Sequence, residues 1–327
     1  MNTIEKALQR KKDLEQSQAK KVSQAYHDTT TVDNELNINP ATVSSFKDQQ
    51  NFESKITKAS RESFEQGINS NFSSHGDKIK KQSKIIEINM DYLEKLGFLV
   101  PNNRHTIIND EFRQIKRPLI RNIQGRTAHP IERANVLQVT SSLQGEGKTF
   151  TAINLALSFA MEMDFNVLLV DADTIKSSIT RTLINSTEKG LTDYLTGDVE
   201  DLSDLMLKTN IPKLSILPAG QAHLLSAELL NSQYMENLIV EFSQRYENRI
   251  VIFDSPPLLQ TNDSRILSQK VGQLVFVVEQ HKTEQSIVKS AVSLIDPDLV
   301  VGVVMNKTRN SGHTGYYGYY APNEEGN

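Results

Sequence analysis

The chain has 327 residues, a hydrophobic fraction of 38%, a mean hydropathy of −0.42 and a formal net charge of −4. This slightly acidic balance gives no reason to expect a nucleic-acid partner, and the absence of cysteine excludes disulfides, thiolate metal sites and cysteine nucleophiles. The chain has neither a run of about 18–20 apolar residues nor the apolar core of a secretory signal at its start. We therefore expect a cytoplasmic protein, whose association with the inner face of a membrane would require a partner.

Residues 1–84 are rich in Ser, Gln, Asn, Lys and Thr and contain few apolar side chains. A segment of this composition buries too little apolar surface to offset the entropy of ordering the chain, so we expect it to be mostly disordered. The exception is a short amphipathic helix predicted within residues 2–16, where Ile4 and Leu8 lie one helical turn apart. This helix would either dock on a partner or fray without one.

Apolar residues return at position 85. A short strand is predicted at 85–88, followed by a helix at 91–96 that Gly97 closes. A second helix is predicted at 110–122, with an interruption allowed by Pro118. One face of this helix carries four basic residues: Arg113, Lys116, Arg117 and Arg121.

From residue 136 onward, runs of Val, Ile and Leu alternate with helical stretches. The predicted strands are 136–140, 167–170, 214–217, 250–253, 274–278 and 300–305, and the predicted helices include 149–161, 227–246 and 284–294. Strands that lack period-two alternation are typical of a sheet buried on both faces. The pattern therefore predicts an α/β fold, a doubly wound and mainly parallel sheet with helices on both sides, in a folded domain of residues 85–310.

The segment SSLQGEGKT follows the strand VLQVT directly and leads into a predicted helix. This is the context of a phosphate-binding loop, in which Gly145 and Gly147 let backbone N–H groups face the phosphates. Lys148 would reach the β- and γ-phosphates of ATP, and the Thr149 hydroxyl would bind Mg²⁺. The usual pattern begins with Gly where this chain has Ser142, so the alternative is an ordinary glycine-rich turn with a surface lysine.

Three carboxylates follow two other predicted strands. VLLVDAD places Asp171 and Asp173 at a strand end, and IVIFDSPP does the same with Asp254. Ligands of open α/β sheets collect at the carboxyl ends of the strands, and carboxylate oxygens suit Mg²⁺. The combination predicts a Mg²⁺–nucleotide site, although a single strand-end Asp is more often a turn former.

Taken together, these motifs resemble the bacterial tyrosine kinase family over about residues 85–320. The matching segments are SSLQGEGKT, VLLVDAD, GLTDYLTG, LSILPAG, VIFDSPP, GVVMNK and a terminal tyrosine cluster. EFRQIKRPLI and the opening IEKAL are similar to the tyrosine autokinases of exosortase-linked exopolysaccharide loci. The resemblance implies a P-loop NTPase fold of the deviant Walker type, shared with MinD and ParA, and ATP-dependent phosphorylation of tyrosine.

The resemblance also implies roles for individual residues. Lys148, Asp171, Asp173 and Asp254 would be catalytic, with Asp171 as the base or water ligand near the incoming tyrosine. Thr149, Asp173 and Asp254 would hold Mg²⁺. Nucleotide would be bound by Gly145, Glu146, Gly147, Lys148, Thr149 and Phe150, with Asn306 facing the adenine.

Some positions depart from the family pattern. Ile175 and Lys176 follow Asp173 where the family has arginine, which weakens any cationic role there. Leu143 stands where MinD and ParA carry a signature lysine, which argues against that branch. Asp110, Arg113 and Lys116 fit the charge pattern of the family's self-association helix, although a solvated basic face explains them equally well.

The chain ends in a tail, residues 311–327, whose glycines predict flexibility. Its four tyrosines, the predicted phosphate acceptors, are Tyr316, Tyr317, Tyr319 and Tyr320. The partners implied are further copies of the chain in a ring that exchanges tails, a membrane co-polymerase adaptor for polysaccharide, and a tyrosine phosphatase. The alternatives are an unmodified tail on a MinD/ParA-like switch ATPase, or a nucleotide-binding scaffold without kinase activity.

Overall fold

The computed structural model describes residues 85–101, 106–184, 188–245 and 248–308. The predicted helix within 2–16 and the tyrosine-rich tail lie outside these residues. The described part contains one eight-stranded sheet. Its strands are β1 (Ile85–Ile86), β2 (Val136–Ser141), β3 (Asn166–Asp171), β4 (Leu207–Thr209), β5 (Leu214–Leu217), β6 (Arg249–Asp254), β7 (Gln273–Glu279) and β8 (Val300–Asn306).

The strands lie in the order β1-β4-β5-β3-β6-β2-β7-β8. Every neighbouring pair is parallel except β4 and β5, which are antiparallel. The predicted mainly parallel α/β sheet is therefore confirmed. The chain order reverses around β2, so the carboxyl ends of β3, β6 and β2 lie side by side. A ligand of an open α/β sheet is expected at such a reversal.

Eight α-helices flank the sheet in the described part of the chain. They are α1 (Met90–Lys95), α2 (Ile107–Ile123), α3 (Lys148–Ala160), α4 (Leu191–Leu195), α5 (Ser226–Asn231), α6 (Gln233–Gln244), α7 (Asn262–Ser268) and α8 (Gln285–Val292). Helix α3 is buried over most of its length and packs in the same hydrophobic cluster as the apolar face of α2. Helix α6 packs in a separate cluster with residues of β2, β3 and β6. No helix of the described residues is both long and apolar enough to cross a membrane.

Two predicted helices differ from the observed ones. The prediction of a single helix at 227–246 is wrong, because the chain leaves helical geometry at Ser232 and starts again as α6. Ser232 caps the second helix by accepting a hydrogen bond from the Met235 N–H. The interruption allowed at Pro118 does not occur, and α2 runs through it. Pro118 and Gln114, whose carbonyl loses its helical donor, both lie on the exposed side of the helix.

The basic face predicted for α2 is only partly exposed. Lys116 is buried, and its ammonium donates to the Ser158 carbonyl at 2.8 Å and pairs with Glu162 at 2.6 Å. Arg113 pairs with Asp110 within the same helix at 3.2 Å. Lys116 therefore fixes α2 onto the end of α3 and is already paired within the subunit. Of the three residues that fit the charge pattern of a self-association helix, Lys116 is buried, whereas the side chains of Asp110 and Arg113 are exposed.

Candidate active site

The predicted acidic residues meet at one edge of the sheet. Asp171 ends β3 and Asp254 ends β6, and the two residues are register partners in this parallel pair. Val139 of β2 pairs with Asp254 on the other side of β6, so the phosphate loop that follows β2 starts beside both carboxylates. Parallel pairing thus brings together residues more than 80 positions apart in the sequence.

Two glycines of the loop have left-handed backbone conformations. The φ angles are +89° at Gly145 and +99° at Gly147, values that side chains other than glycine rarely adopt. A Cβ atom at Gly147 would also lie 1.8 Å from the amide nitrogen of Asn306. Helix α3 begins at the next residue, so the loop delivers its backbone N–H groups to the positive end of a thirteen-residue helix.

Lys148 points into the acidic cluster. Its ammonium pairs with Asp173 at 2.9 Å, and both side chains are almost completely buried. Burial alone would lower the pKa of Lys148, but the nearby carboxylates of Asp254 and Asp173 outweigh this effect, so its pKa is raised. Lys148 is therefore a permanent positive charge at the sheet edge.

Asp171 has one oxygen fixed and one free. Its Oδ2 accepts hydrogen bonds from the Thr180 N–H at 3.0 Å and from the Thr180 hydroxyl at 2.9 Å. Its Oδ1 is buried and has no hydrogen-bond partner among the described residues. Burial raises the pKa of Asp171 to about 6, although the Thr180 bonds and the nearby Asp173 N–H, which does not meet hydrogen-bond geometry with Oδ1, oppose the shift. The carboxylate is thus held in one orientation with an oxygen left to accept a proton.

Asp254 is fully buried, and neither of its carboxylate oxygens meets hydrogen-bond geometry with a donor in the described part of the chain. Burial raises its pKa to about 7 despite the opposing charge of Lys148, and the nearby Thr149 hydroxyl lowers it slightly. Buried carboxylate oxygens without partners are costly, and a cation or its bound water would satisfy them.

The donor set fits Mg²⁺ bound together with phosphate. Among the described residues, no group of three or more histidines or carboxylates is arranged to hold a metal by itself. Mg²⁺ usually takes one or two carboxylates and completes its octahedral shell with phosphate oxygens and water. Asp254, Asp173 and the Thr149 hydroxyl are the groups predicted to supply the protein share of such a shell, and in this structure Asp173 pairs with Lys148 and accepts from the Lys176 N–H.

The comparisons with known proteins agree with this geometry. The AAA domain family model matches residues 134–301. The tyrosine-protein kinase CpsD of Streptococcus agalactiae is 33% identical over 189 residues, which cover 57% of this chain and 81% of the relative. The tyrosine-protein kinase YwqD of Bacillus subtilis is 34% identical over 187 residues, which cover 56% and 76%. The chain belongs to the bacterial tyrosine-protein kinase family.

A solved structure shares the fold. The kinase domain of the Escherichia coli tyrosine kinase ETK superposes with a TM-score of 0.52 at 21% identity, over 74% of this chain and all of that domain. The family expected from the motifs is confirmed, and it favours a kinase over the switch ATPase. The link to exosortase loci stays a prediction.

Hydrogen bonds from residues at or after the ends of β7 and β8 hold the phosphate loop of this kinase in place. The sequence did not reveal these contacts. The buried carboxylate of Glu146 accepts from the Leu143 N–H at 2.6 Å and from the Thr283 hydroxyl. The Asn306 amide donates to the Glu146 carbonyl, and the Lys307 ammonium to the Gly145 carbonyl, both at 2.8 Å. Asn306 therefore lies against the loop, while its contact with adenine stays a prediction.

Phe150, the last residue predicted to bind nucleotide, turns its ring away from the loop. The ring packs on Phe98 at 5.0 Å and on Phe112 at 6.5 Å, measured between ring centroids. Its side chain thus belongs to the core between α3 and the preceding segments, and only its backbone N–H is available to a phosphate.

Two family motifs, GLTDYLTG and LSILPAG, interlock beside the site. The Thr192 hydroxyl donates to the Ala219 carbonyl at 2.9 Å, and the Gly190 N–H donates to Asp193 at 2.8 Å. A Cβ atom at Gly190 would lie 2.0 Å from the Pro218 carbonyl. The two segments therefore pack directly against each other, and Gly220 lines a cavity together with the loop that follows β3.

Proposed function

We propose that this kinase transfers the γ-phosphoryl group of ATP to the tyrosines of its own tail, and thereby regulates polymerisation and export of an exopolysaccharide. The observation that carries the proposal is the state of Asp171. One oxygen is fixed by Thr180 and the other is buried without a partner, in a cluster that also contains Lys148. This is the arrangement expected of a general base next to a phosphate site.

The residues that would hold Mg-ATP are those of the loop and of the strand ends. The backbone of residues 145–150 and the Lys148 ammonium would bind the phosphates, and Thr149, Asp173 and Asp254 would hold Mg²⁺. When bound, Mg-ATP supplies the phosphoryl group and a divalent charge that neutralises its oxygens. The positions of Gly145 and Gly147 allow the loop to approach the phosphates closely.

The protein's own contribution to the reaction is positioning and proton transfer. Asp171 Oδ1 would accept the proton of the tyrosine hydroxyl, and Thr180 would keep this carboxylate from rotating. A pKa of about 6 leaves Asp171 mostly ionised near neutral pH yet basic enough to accept a proton. Lys148 would stabilise the negative charge that accumulates on the transferring group.

We propose that the tail is phosphorylated by another copy of the chain in a ring-like homo-oligomer, with a membrane co-polymerase adaptor and a tyrosine phosphatase as further partners. The length of the tail alone does not decide whether a chain phosphorylates its own tail or the tail of another copy. Strand β8 lies four strand spacings from β3, or about 19 Å, and the eight residue-to-residue steps from Thr308 to Tyr316 span at most about 26–29 Å. The tail is long enough to reach its own site as well.

A mixing experiment tests the function and the direction of transfer together. One variant carries Lys148→Met and keeps its tail, and the other keeps Lys148 and carries Phe in place of all four tail tyrosines. We expect the Lys148→Met chain to become phosphorylated on tyrosine only when the second variant and Mg-ATP are present. Phosphorylation of the wild type without any in the mixture would show transfer within one chain, and ATP hydrolysis without phosphotyrosine in either sample would refute the kinase function.

A further inference from the structure

A cavity of about 900 Å³ opens next to the candidate base. Thr180, whose N–H and hydroxyl fix Asp171, also lines this cavity. Gly220, at the end of the LSILPAG motif, lines it as well. The volume is in the range of sites that bind a ligand of several residues' size.

The lining of the cavity is basic and partly apolar. Lys176, Arg181 and Lys189 contribute three positive charges and Glu188 one negative charge, while Ile175 leaves 66% of its surface exposed. The Arg181 guanidinium donates to the Lys176 carbonyl, which keeps it at the cavity. Within the described ranges, Lys176 and Lys189 form no ion pair. A ligand with negative charge would be attracted to this surface.

The cavity and the phosphate loop lie at the ends of different strands. The phosphate loop follows β2, and its braces Asn306 and Lys307 follow β8, whereas the cavity is built from segments that follow β3 and β5. Asp171 lies between the two. A ligand in the cavity would therefore lie on the side of Asp171 opposite to the phosphate loop, with Thr180 between the ligand and this buried carboxylate.

The tail of this chain carries charges opposite to those of the cavity, a few residues after a tyrosine. Glu324 and Glu325 follow Tyr320 by four and five residues, a separation of at most about 13–18 Å in an extended chain. None of the three residues between Tyr320 and Glu324 is charged: they are Ala321, Pro322 and Asn323. A tyrosine placed at Asp171 would thus bring the two glutamates to the basic cavity.

We propose that this cavity is an acceptor subsite that binds the acidic end of the tyrosine-rich tail, with Glu324 and Glu325 contacting Lys176, Arg181 and Lys189. The proposal rests on the proposed kinase function. The subsite would select tyrosines that are followed by acidic residues and would act on acceptor affinity, since none of its basic groups takes part in the transfer.

The test uses peptides as acceptors and the full chain as enzyme. The enzyme carries Phe in place of the four tail tyrosines and Gln in place of Glu324 and Glu325, so that its own tail neither reacts nor competes. Peptides of residues 309–327, native or with E324Q/E325Q, are phosphorylated with Mg-ATP, and KM and kcat are measured for each. Ion pairs at a partly exposed site each change affinity by a factor of a few, so we expect the altered peptide to raise KM about tenfold with kcat unchanged.

A matched pair of enzyme variants assigns the effect to the cavity. K176Q/K189Q should raise KM for the native peptide severalfold, by less than the altered peptide does because Arg181 remains, whereas K208Q/K289Q removes two exposed lysines outside the cavity and should change nothing. Anisotropy of fluorescently labelled peptides gives the same comparison without catalysis. Equal KM and equal binding for the two peptides would overturn the subsite alone, and absence of phosphotyrosine on both peptides would overturn the kinase function with it.

Discussion

Replacing Asp254 with asparagine should stabilise the protein in the absence of nucleotide and metal while removing its activity. Folding raises the pKa of this carboxyl from 3.8 to about 7, chiefly through burial. The folded state therefore binds a proton more tightly than the unfolded state, and stability is lost as the pH rises from about 4 to about 7. Above pH 7 the loss is complete, because Asp254 is then ionised in both states.

The expected change in stability follows from the shift in the pKa of Asp254. Roughly three pKa units correspond to about 4 kcal/mol of lost stability at pH 8. An asparagine avoids this cost but buries an amide whose donors lack partners, which costs about 1–3 kcal/mol. We expect a net gain of about 2 kcal/mol, or a rise in Tm of about 4–8 °C for a domain of this size. At pH 5 most of the ionisation cost is absent, so the gain should vanish.

The assay is thermal unfolding of wild type and D254N in EDTA at pH 5 and at pH 8, with phosphotyrosine formation measured separately in Mg-ATP. D164N is the matched control, since Asp164 is exposed and its substitution should leave Tm within about 1 °C at both pH values. A D254N protein that is less stable than wild type at pH 8, or a difference in Tm that does not change with pH, would show that burial does not raise the pKa of Asp254 and does not lower the stability of the folded protein.

Three further substitutions test the rest of the site. Lys148→Met should lower the phosphorylation rate by a factor on the order of 10²–10³. It should also lower Tm, because it leaves the buried Asp173 unpaired. A rate and a Tm equal to those of wild type would remove Lys148 from the site. Asp171→Asn should lower kcat by a factor on the order of 10²–10⁴ with little change in KM for ATP, and a change confined to KM would contradict its role as base. Gly147→Ala should weaken ATP binding at least about tenfold, measured by calorimetry, because its φ is +99° and its Cβ would meet Asn306; unchanged affinity would mean that the loop is not the phosphate site.

Most of the sheet could be predicted because its strands are continuous apolar runs. Seven of the eight strands lie within one or two residues of the predicted ranges. Strand β4 was missed because its three residues, Leu207–Thr209, include a single strongly apolar side chain and their pairing is decided by β5 and β1. The break at Ser232 was missed because apolar residues continue on both sides of it.

The candidate site could be predicted as a set of residues, since parallel strands place their carboxyl ends at one edge of the sheet. Its finer contacts could not. The bonds from Thr180 to Asp171, from Asn306 to the loop and from Lys116 to Glu162 depend on how loops and helices pack, and no local pattern encodes them. The sequence alone predicts a weakened cationic role at Lys176, whereas folding places this residue with two other basic residues in one cavity.

Autophosphorylation of the tail is the central claim, and mass spectrometry of the C-terminal peptide after incubation of the purified chain with Mg-ATP tests it directly. We predict one or more phosphate groups on the peptide that contains Tyr316, Tyr317, Tyr319 and Tyr320, and none in the Lys148→Met variant treated in parallel. Consumption of ATP with all four tyrosines unmodified would contradict the account, and would favour a switch ATPase built on the same loop and carboxylates.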